Sequence, residues 1–429
     1  MRDVLGPGTS LGYCTNVHAG ATIPRIAANL ADVAARVRRI VCPAEPLGLG
    51  LWIPAGALDA PFSEFEELRR TMIEQELFAF TLNGFPYGNF HSDVVKHDVY
   101  RPDWAQRDRL EYTARLAVKI ASLTAGAEAS ISTLPIGWKA DFQKPARVEA
   151  AAHALRKLAV TLYDLEMRLG SFVHVDLEPE PGCYLETSED VVSFFEKYLL
   201  HDKHAEHVRR YIRICHDVCH AAVMFEEQRE VFARYEAAGI KVGKVQISSA
   251  VRIPFQSMDE PARRAAVEQL RRFDEPRYLH QTVVKKARRH AGTQARSGGD
   301  AEARRHAGTQ ARSGGDVEAR SGVGTEGRTG FHVDLPEAMK TVSVDELPRD
   351  EWRVHFHVPV YLERFGALQT TSNEIDAAVQ AALEQGVKHF EVETYAWGVL
   401  PDELKCGDLA AGIARELAWV RSRFGVGNG

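Results

Sequence analysis

The chain has 429 residues, 45% hydrophobic and 26% charged, with a formal net charge of −6. That is ample apolar material for a large core, and the acidic balance argues against a general nucleic-acid binder. No apolar run approaches the ~20 residues of a membrane helix, and the opening "MRDVLGPGTSLGYC" lacks the apolar core of a signal peptide.

Strand-length apolar runs alternate with stretches of helical period. "GYCTNVHAG" (12–20) predicts a strand, and 22–41 an amphipathic helix with Ile26, Leu30, Val33 and Val37 at helical spacing. "LGLGLWIP" (47–54) is a strand. The helix 63–76 follows, with Ser63 as N-cap and Glu66 completing a capping box. Further strands are predicted at 77–88, 129–138, 172–182, 211–217 and 241–250. The helices between and after them fall at 107–123, 147–169, 188–200 and 226–238. Later strands at 353–361 and 389–397 flank a helix at 372–386, and "RYLHQTVV" (277–284) with "GFHVDL" (330–335) predicts an extra hairpin.

This βαβα rhythm predicts a parallel sheet covered by helices, and its length favours a closed (β/α)8 TIM barrel forming one domain over 1–429. The count gives eight strands before the last, one more than a barrel needs, so a later strand is expected outside it. Residues 285–329 differ. "ARRHAGTQARSGGD" occurs at 287–300 and again at 303–316, and the segment holds ten basic and five acidic residues without an aromatic, Leu or Ile. Such a segment buries too little apolar surface to offset its ordering entropy and is expected to be a disordered insertion. The six Cys are scattered through a long chain, which predicts reduced thiols in a cytoplasmic protein.

In a (β/α)8 barrel the strand C-terminal ends carry the site. Here they end in polar residues: Asn16 and His18; Asn83, Tyr87 and His91; His174, Asp176 and Glu178; His355 and His357; His389, Glu391 and Glu393. Alternation puts each such set on one face of its strand. Unpaired charges inside a barrel are costly, so either a divalent metal or a set of internal salt bridges must satisfy them. Mixed carboxylate and imidazole donors suit Zn2+, Mn2+ or Mg2+.

"RICHDVCHAAV" (213–223) has several readings. An HxxxH zinc motif requires Glu after the first His, where Asp217 stands. Cys215 and Cys219 lack a second Cys pair at zinc-finger spacing. The remaining alternatives are Asp217 and His220 facing one ion across a strand tip, or Asp217 acting as a helix N-cap with His220 a satisfied surface histidine.

A carboxylate ending one strand, D-x-x-H ending the next, "VQIS" on the next and a final-strand Glu resemble the xylose-isomerase-like TIM barrels. The blocks "LGYCTNVHAG", "TLNGFPYGNFH", "SISTLPIGWK", "DLEPEPGCYLET", "CHDVCHAAV", "VQISSA" and "EVETYAW" more closely resemble the metabolite traffic protein E family of bacterial ebo operons. The resemblance implies metal ligands at Glu178, Asp217, His220 and Glu393. It breaks on the seventh strand, where Lys244 precedes "VQI" in place of a ligand His. Gln246 could face the site instead, His357 could supply the imidazole, or Lys244 could replace the metal charge.

The functions this implies fall into three classes. A sugar isomerase or epimerase would use Glu178 and Glu393 as ligands and proton carriers, with Lys244 among the catalytic groups and His18, Asn83, His91, Lys139 and Gln246 on the substrate. A non-catalytic protein would handle an isoprenoid or polyphenolic metabolite alongside other ebo-operon proteins, with Trp52, Phe85, Tyr87, Trp138, Tyr395 and Trp397 at the mouth. An AP-endonuclease-like phosphodiesterase would need a basic rim, which the acidic chain does not favour.

Overall fold

A computed structural model describes residues 1–124, 126–286, 328–343, 346–405 and 407–425. The 16-residue tandem repeat and most of the expected insertion 285–329 lie outside the described residues.

Eight parallel strands close into a barrel. In chain order they begin with β1 (Ser10–Cys14), β2 (Leu47–Trp52), β3 (Leu77–Asn83) and β4 (Ala129–Thr133). β5 (Val173–Leu177), β6 (Ile212–Asp217) and β7 (Val242–Ile247) follow. The ring is closed not by the next strand but by the last. Six strands intervene: β8 (Val251–Pro254), β9 (Thr282–Lys285), β10 (Arg328–His332), β11 (Glu351–Val354), β12 (Arg364–Phe365) and β13 (Leu368–Thr370). Then β14 (His389–Val392) inserts between β7 and β1.

The intervening strands form a second sheet in the order β10-β9-β11-β8-β13-β12. Its pairings are antiparallel. It packs its own apolar core around Val251, Ile253, Phe255, Trp352, Val354 and Phe356. The surplus strand is therefore the one expected at 353–361. Regular pairing there stops at Val354, and Pro359 lies in irregular backbone, as a residue without an N–H to donate would favour. The expected hairpin exists as β9 and β10 but belongs to this larger sheet. Three of its strands, β8, β12 and β13, are too short to stand out from their surroundings in the sequence.

The helices fall where the apolar period put them. Residues Arg107–Thr124 and Pro145–Leu169 are single helices, and Ile23–Asn29 runs through a π turn into Ala35–Val41. The capping box at Ser63 is not formed. The helix starts at Phe62 after Pro61, whose fixed φ already suits the entry, and Ser63 sits inside the first turn.

The barrel interior is polar, and small residues make room for it. A Cβ on Gly50 of β2 would lie 1.4 Å from Glu391 Oε1, and one on Gly243 of β7 would lie 2.4 Å from Asp176 Oδ1. Both are glycine because a side chain of another strand occupies the space where a Cβ would stand.

Candidate metal centre

Register stacks the inward side chains in layers. His389 of β14 pairs with Lys244 of β7, and Glu391 with Gln246. Gln246 in turn pairs with Asp217 of β6. In the lower layers, Lys244 Nζ is ion-paired with Glu391 and donates to Ser132 Oγ at 3.2 Å. His174 Nδ1 meets Asp176 Oδ1 at 2.6 Å, and His389 Nδ1 meets Ser130 Oγ at 2.8 Å. Burial alone would lower the Lys244 pKa, but Glu391 more than reverses this and keeps the ammonium charged.

The top layer is different. Glu178 follows β5, Asp217 ends β6 and Glu393 follows β14, and their carboxylate oxygens lie within 4.8 Å of one another. Glu178 Oε1 accepts from Gln246 Nε2. Glu393 Oε1 accepts from Asn16 Nδ2 at 2.7 Å and Asn83 Nδ2 at 3.2 Å. Asp217 Oδ1 accepts from Ser248 Oγ at 2.7 Å and the His220 backbone N–H at 3.0 Å. Asp217 thus caps the short helix Val218–Val223 with one oxygen, as the N-cap reading expects, and its other oxygen has no hydrogen-bond partner.

Five buried atoms of this layer have no hydrogen-bond partner: Glu178 Oε2, Asp217 Oδ2 and His357 Nε2, with the amide oxygens Asn16 Oδ1 and Gln246 Oε1. His357 Nδ1 lies 2.9 Å from the Glu393 carbonyl oxygen, which can only accept, so the proton is on Nδ1 and Nε2 presents a lone pair. That nitrogen is 3.9 Å from Asp217 Oδ2. His220 Nε2 is 4.0 Å from the same oxygen.

The electrostatics match this crowding. Burial, then Glu393 and Asp217, pushes the Glu178 carboxyl well above its ordinary value. Burial, then Asp217 and Glu391, pushes Glu393 up to about 8. Burial would raise Asp217 too, but His220, His357 and Ser248 outweigh it and hold its pKa low. Burial lowers His357 to about 4, which keeps its imidazole neutral and able to ligate. These groups form a possible metal-ligand cluster of carboxylates and neutral imidazole, and unpartnered lone pairs are what an ion would engage.

The structure brings Glu178, His220, His357, Glu393 and Asn83 to one cavity of about 70 Å3, sets Asp217 against Glu178 and Glu393 beneath its lining, and places Gln246 against Glu178. It places the other predicted residues elsewhere. Lys244 lies a layer below, on Glu391. His18 packs against Tyr13, and its Nε2 is 3.3 Å from that hydroxyl. His91 Nε2 donates to the Asn16 carbonyl at 2.7 Å, behind the cavity wall. Lys139 is ion-paired with Glu186 at the surface. Of the predicted mouth aromatics, Phe85 and Tyr395 line the cavity. Cys215 and Cys219 are buried free thiols. His216 faces outward to Gln228 Oε1 at 2.7 Å. The sequence reading assigns no role to Glu180, which also lines the cavity. Its spacing of two from Glu178 was the available signal.

No model of a known protein family matches this sequence, and no curated protein does. Several solved structures are similar to it. A xylose isomerase-like TIM barrel protein from Mycobacterium smegmatis, in complex with magnesium, has a TM-score of 0.40 at 12% identity over 63% of this chain and 89% of its own. An AP endonuclease of family 2 from Brucella melitensis has a TM-score of 0.36 at 13% identity, over 56% of this chain and 78% of its own. A D-tagatose 3-epimerase-like protein has a TM-score of 0.36 at 12% identity, over 55% of this chain and 75% of its own. Likeness at this level reaches no further than the barrel. No helix among the described residues is long and apolar enough to cross a membrane.

Proposed function

We propose that the barrel holds a divalent cation through Glu178, Asp217, His357 and Glu393, with His220 beside them. It would then act on a small hydroxy-carbonyl metabolite as sugar isomerases and epimerases do, moving a proton between neighbouring carbons. The observation that carries this reading is the meeting of three buried carboxylates within 4.8 Å, with no Lys or Arg ion-paired to any of them among the described residues. His357, from the segment after β11, would supply the imidazole that Lys244 does not. Zn2+, Mn2+ and Mg2+ all suit such donors.

When bound, the cation supplies the positive charge against which the carboxylates ionise, and it polarises a carbonyl oxygen. The chain's own residues do the rest. Asn16 and Asn83 hold one oxygen of Glu393, and Gln246 holds one oxygen of Glu178. The second oxygen of each carboxylate is left for the cation or for a proton on the substrate. Burial and the neighbouring carboxylates raise both pKa values, Glu393 to about 8, so each group favours holding a proton until an ion is bound.

Metal analysis of protein purified without chelator tests the reading. At least one divalent ion per chain is expected, together with deuterium uptake from D2O at the carbon next to the carbonyl of an accepted hydroxy-ketone. Protein that carries no ion and takes none up sinks it.

The cavity walls favour a second reading. Phe85, Phe90, Tyr100, Tyr278, Leu279 and Tyr395 give the acidic floor an apolar mouth. Such walls suit a metabolite with an aromatic or isoprenoid part, held and passed on without turnover. That is the role expected of a metabolite traffic protein E, acting with other products of an ebo operon. Tight binding without deuterium exchange would separate it from the first. A nucleic-acid substrate finds no support here: Lys96 is the sole Lys or Arg among the described lining residues, and it is paired with Asp334.

A further inference from the structure

Beside the carboxylate cluster, two imidazoles meet edge on. His220 Nε2 and His355 Nε2 are 3.1 Å apart, with their rings inclined at 80°. His220 Nδ1 is 2.9 Å from the Pro179 carbonyl oxygen, so the neutral ring carries its proton there. His355 Nδ1 is 2.8 Å from Gln281 Oε1. The Gln281 amide cannot be turned round, because its Nε2 donates to the Pro181 carbonyl and to Glu180 Oε1, each at 3.0 Å. His355 therefore also carries its proton on Nδ1, and two bare lone pairs face each other. Glu180 stands next to them. One of its oxygens and one nitrogen of each histidine lie within 4.8 Å of one another, and all three residues are buried. This corner of the cavity gathers acceptors with no donor between them.

The rest of the lining has the same character, and its side-chain N–H donors are engaged. Asn16 and Asn83 donate to Glu393, His357 Nδ1 to the Glu393 carbonyl, and Lys96 to Asp334. Glu178, Glu180 and Glu393 line the cavity, and Asp217 lies beneath them. A divalent ion held by the lower carboxylates offsets only part of this negative charge. The walls include Phe90, Tyr278 and Tyr395, whose ring centroids are 4.9, 5.2 and 5.6 Å apart. Aromatic faces are electron-rich and attract cations. A phosphate or carboxylate group on a ligand would find no free Lys or Arg among the described lining residues.

We propose that this corner binds the ammonium group of a primary amine, through Glu180 and the Nε2 atoms of His220 and His355. The metabolite is then an amino-hydroxy-carbonyl compound, not a phosphorylated or carboxylate one. Acceptors around one ammonium nitrogen, at hydrogen bonds of about 2.8 Å, stand about 4.6 Å apart. That matches the 4.8 Å within which these three groups lie. The two imidazole nitrogens are closer, so one N–H is shared between them and another goes to Glu180. The second sheet builds this corner. Gln281 precedes β9, His355 follows β11, and the His355 N–H donates to the Gln281 carbonyl at 2.8 Å. The inference rests on the reading of this cavity as a metabolite site and names the substrate class. It does not require an ion on the lower carboxylates.

Calorimetric titration of the whole chain with phenethylamine, phenethyl alcohol and phenylacetate tests it. The three probes share an aromatic ring and differ in charge at neutral pH. The titrations are run with Mg2+ and again with chelator, so that the lower carboxylates are tested filled and empty. In both, the amine is expected to bind at least about tenfold tighter than the alcohol, and phenylacetate more weakly than either. Glu180→Gln keeps an oxygen for Tyr100 and Gln281 but removes the charge, and it should erase the preference for the amine. Tyr395→Leu, on a different element, should weaken the amine more than the alcohol. Circular dichroism and a melting curve establish that each variant is folded. An amine that binds no tighter than the alcohol, or a preference that survives intact in Glu180→Gln, would overturn the inference. The ion count that tests the metal-dependent reading is separate: a chain that carries no ion and still prefers the amine would sink that reading alone.

Discussion

The lower and upper layers of the barrel interior use the same kinds of side chain to opposite ends. Below, Glu391 faces Lys244, Asp176 faces His174, and His389 faces Ser130. Glu391 has a counter-charge of its own and Asp176 has a donor to one oxygen, and burial raises the Asp176 carboxyl to about 7. Above, Glu178, Asp217 and Glu393 crowd together, and the positive charge that would balance them is not supplied by a lysine or arginine among the described residues. A buried ion pair is weak evidence for anything but local structure. A buried carboxylate cluster with a neutral imidazole beside it is the arrangement on which the proposed site rests.

If that contrast is right, substitutions in the two layers have different consequences. The largest effect is expected at the top. Asp217→Ala removes a ligand oxygen from the carboxylate cluster and should lower cation affinity by more than the ~100-fold typical of losing an outer partner of a ligand. Chelator competition measures it. Stability should fall by about 1 kcal/mol or more even in metal-free buffer, because Asp217 caps the helix Val218–Val223 and accepts from Ser248. Retained cation affinity in this variant would remove the distinction between the layers.

Next comes the lower pair. Lys244→Met leaves Glu391 buried without its counter-charge and should cost about 3–5 kcal/mol, read from denaturant unfolding. Adding Glu391→Leu should recover most of that, since an apolar pair of similar volume often replaces a buried ion pair without loss. Cation binding should survive in the double variant. If it does not, Lys244 belongs to the site after all.

A smaller effect is expected at Gly50. Alanine there puts a methyl group 1.4 Å from Glu391 Oε1, so the Lys244 pair must shift. Overpacking of this kind costs about 1–3 kcal/mol. The loss should shrink in Glu391→Ala, where the obstruction is absent, and a double-mutant cycle reads that coupling.

The sequence made these layers partly legible. Period-2 alternation put His174, Asp176 and Glu178 on one face of β5, and Glu391 with Glu393 on one face of the last strand. It could not say how deep each lies. Glu391 and Glu393 are two residues apart, one level of the barrel, yet one meets Lys244 and the other meets Asn16 and Asn83. Level depends on how neighbouring strands are staggered, which no single strand encodes. The closing strand was also hidden. β14 joins β7 only after the whole second sheet has been made, and nothing in "RVHFHVPVY" marks it as the strand that leaves the barrel. His18, His91 and Lys139 were drawn in by their place near strand ends, but beyond the last ladder bond the backbone turns freely and side-chain direction no longer follows from alternation.

The smallest expected effect concerns a third buried carboxyl, one that belongs to neither layer. Glu416 lies on the helix Leu409–Phe424 behind the final strand. Its Oε1 accepts from Thr394 Oγ1 at 2.6 Å and from the Val360 N–H at 3.1 Å. Burial raises its pKa from an ordinary 4.5 to about 7, although both donors pull the other way. A carboxyl raised on folding binds more protons in the folded chain than in the unfolded one between those values. Its contribution to stability is therefore complete below about pH 4.5, declines as pH rises through about 7, and is flat above that. Glu416→Gln should remove this decline, so the difference in stability between variant and wild type should shift in favour of glutamine across that window. A difference that stays constant from pH 4 to 8 would mean that the two donors alone satisfy an ionised Glu416. A buried carboxylate at this level of the barrel could then be held without a cation. The case for ions at Glu178 and Glu393 would be weaker by that much.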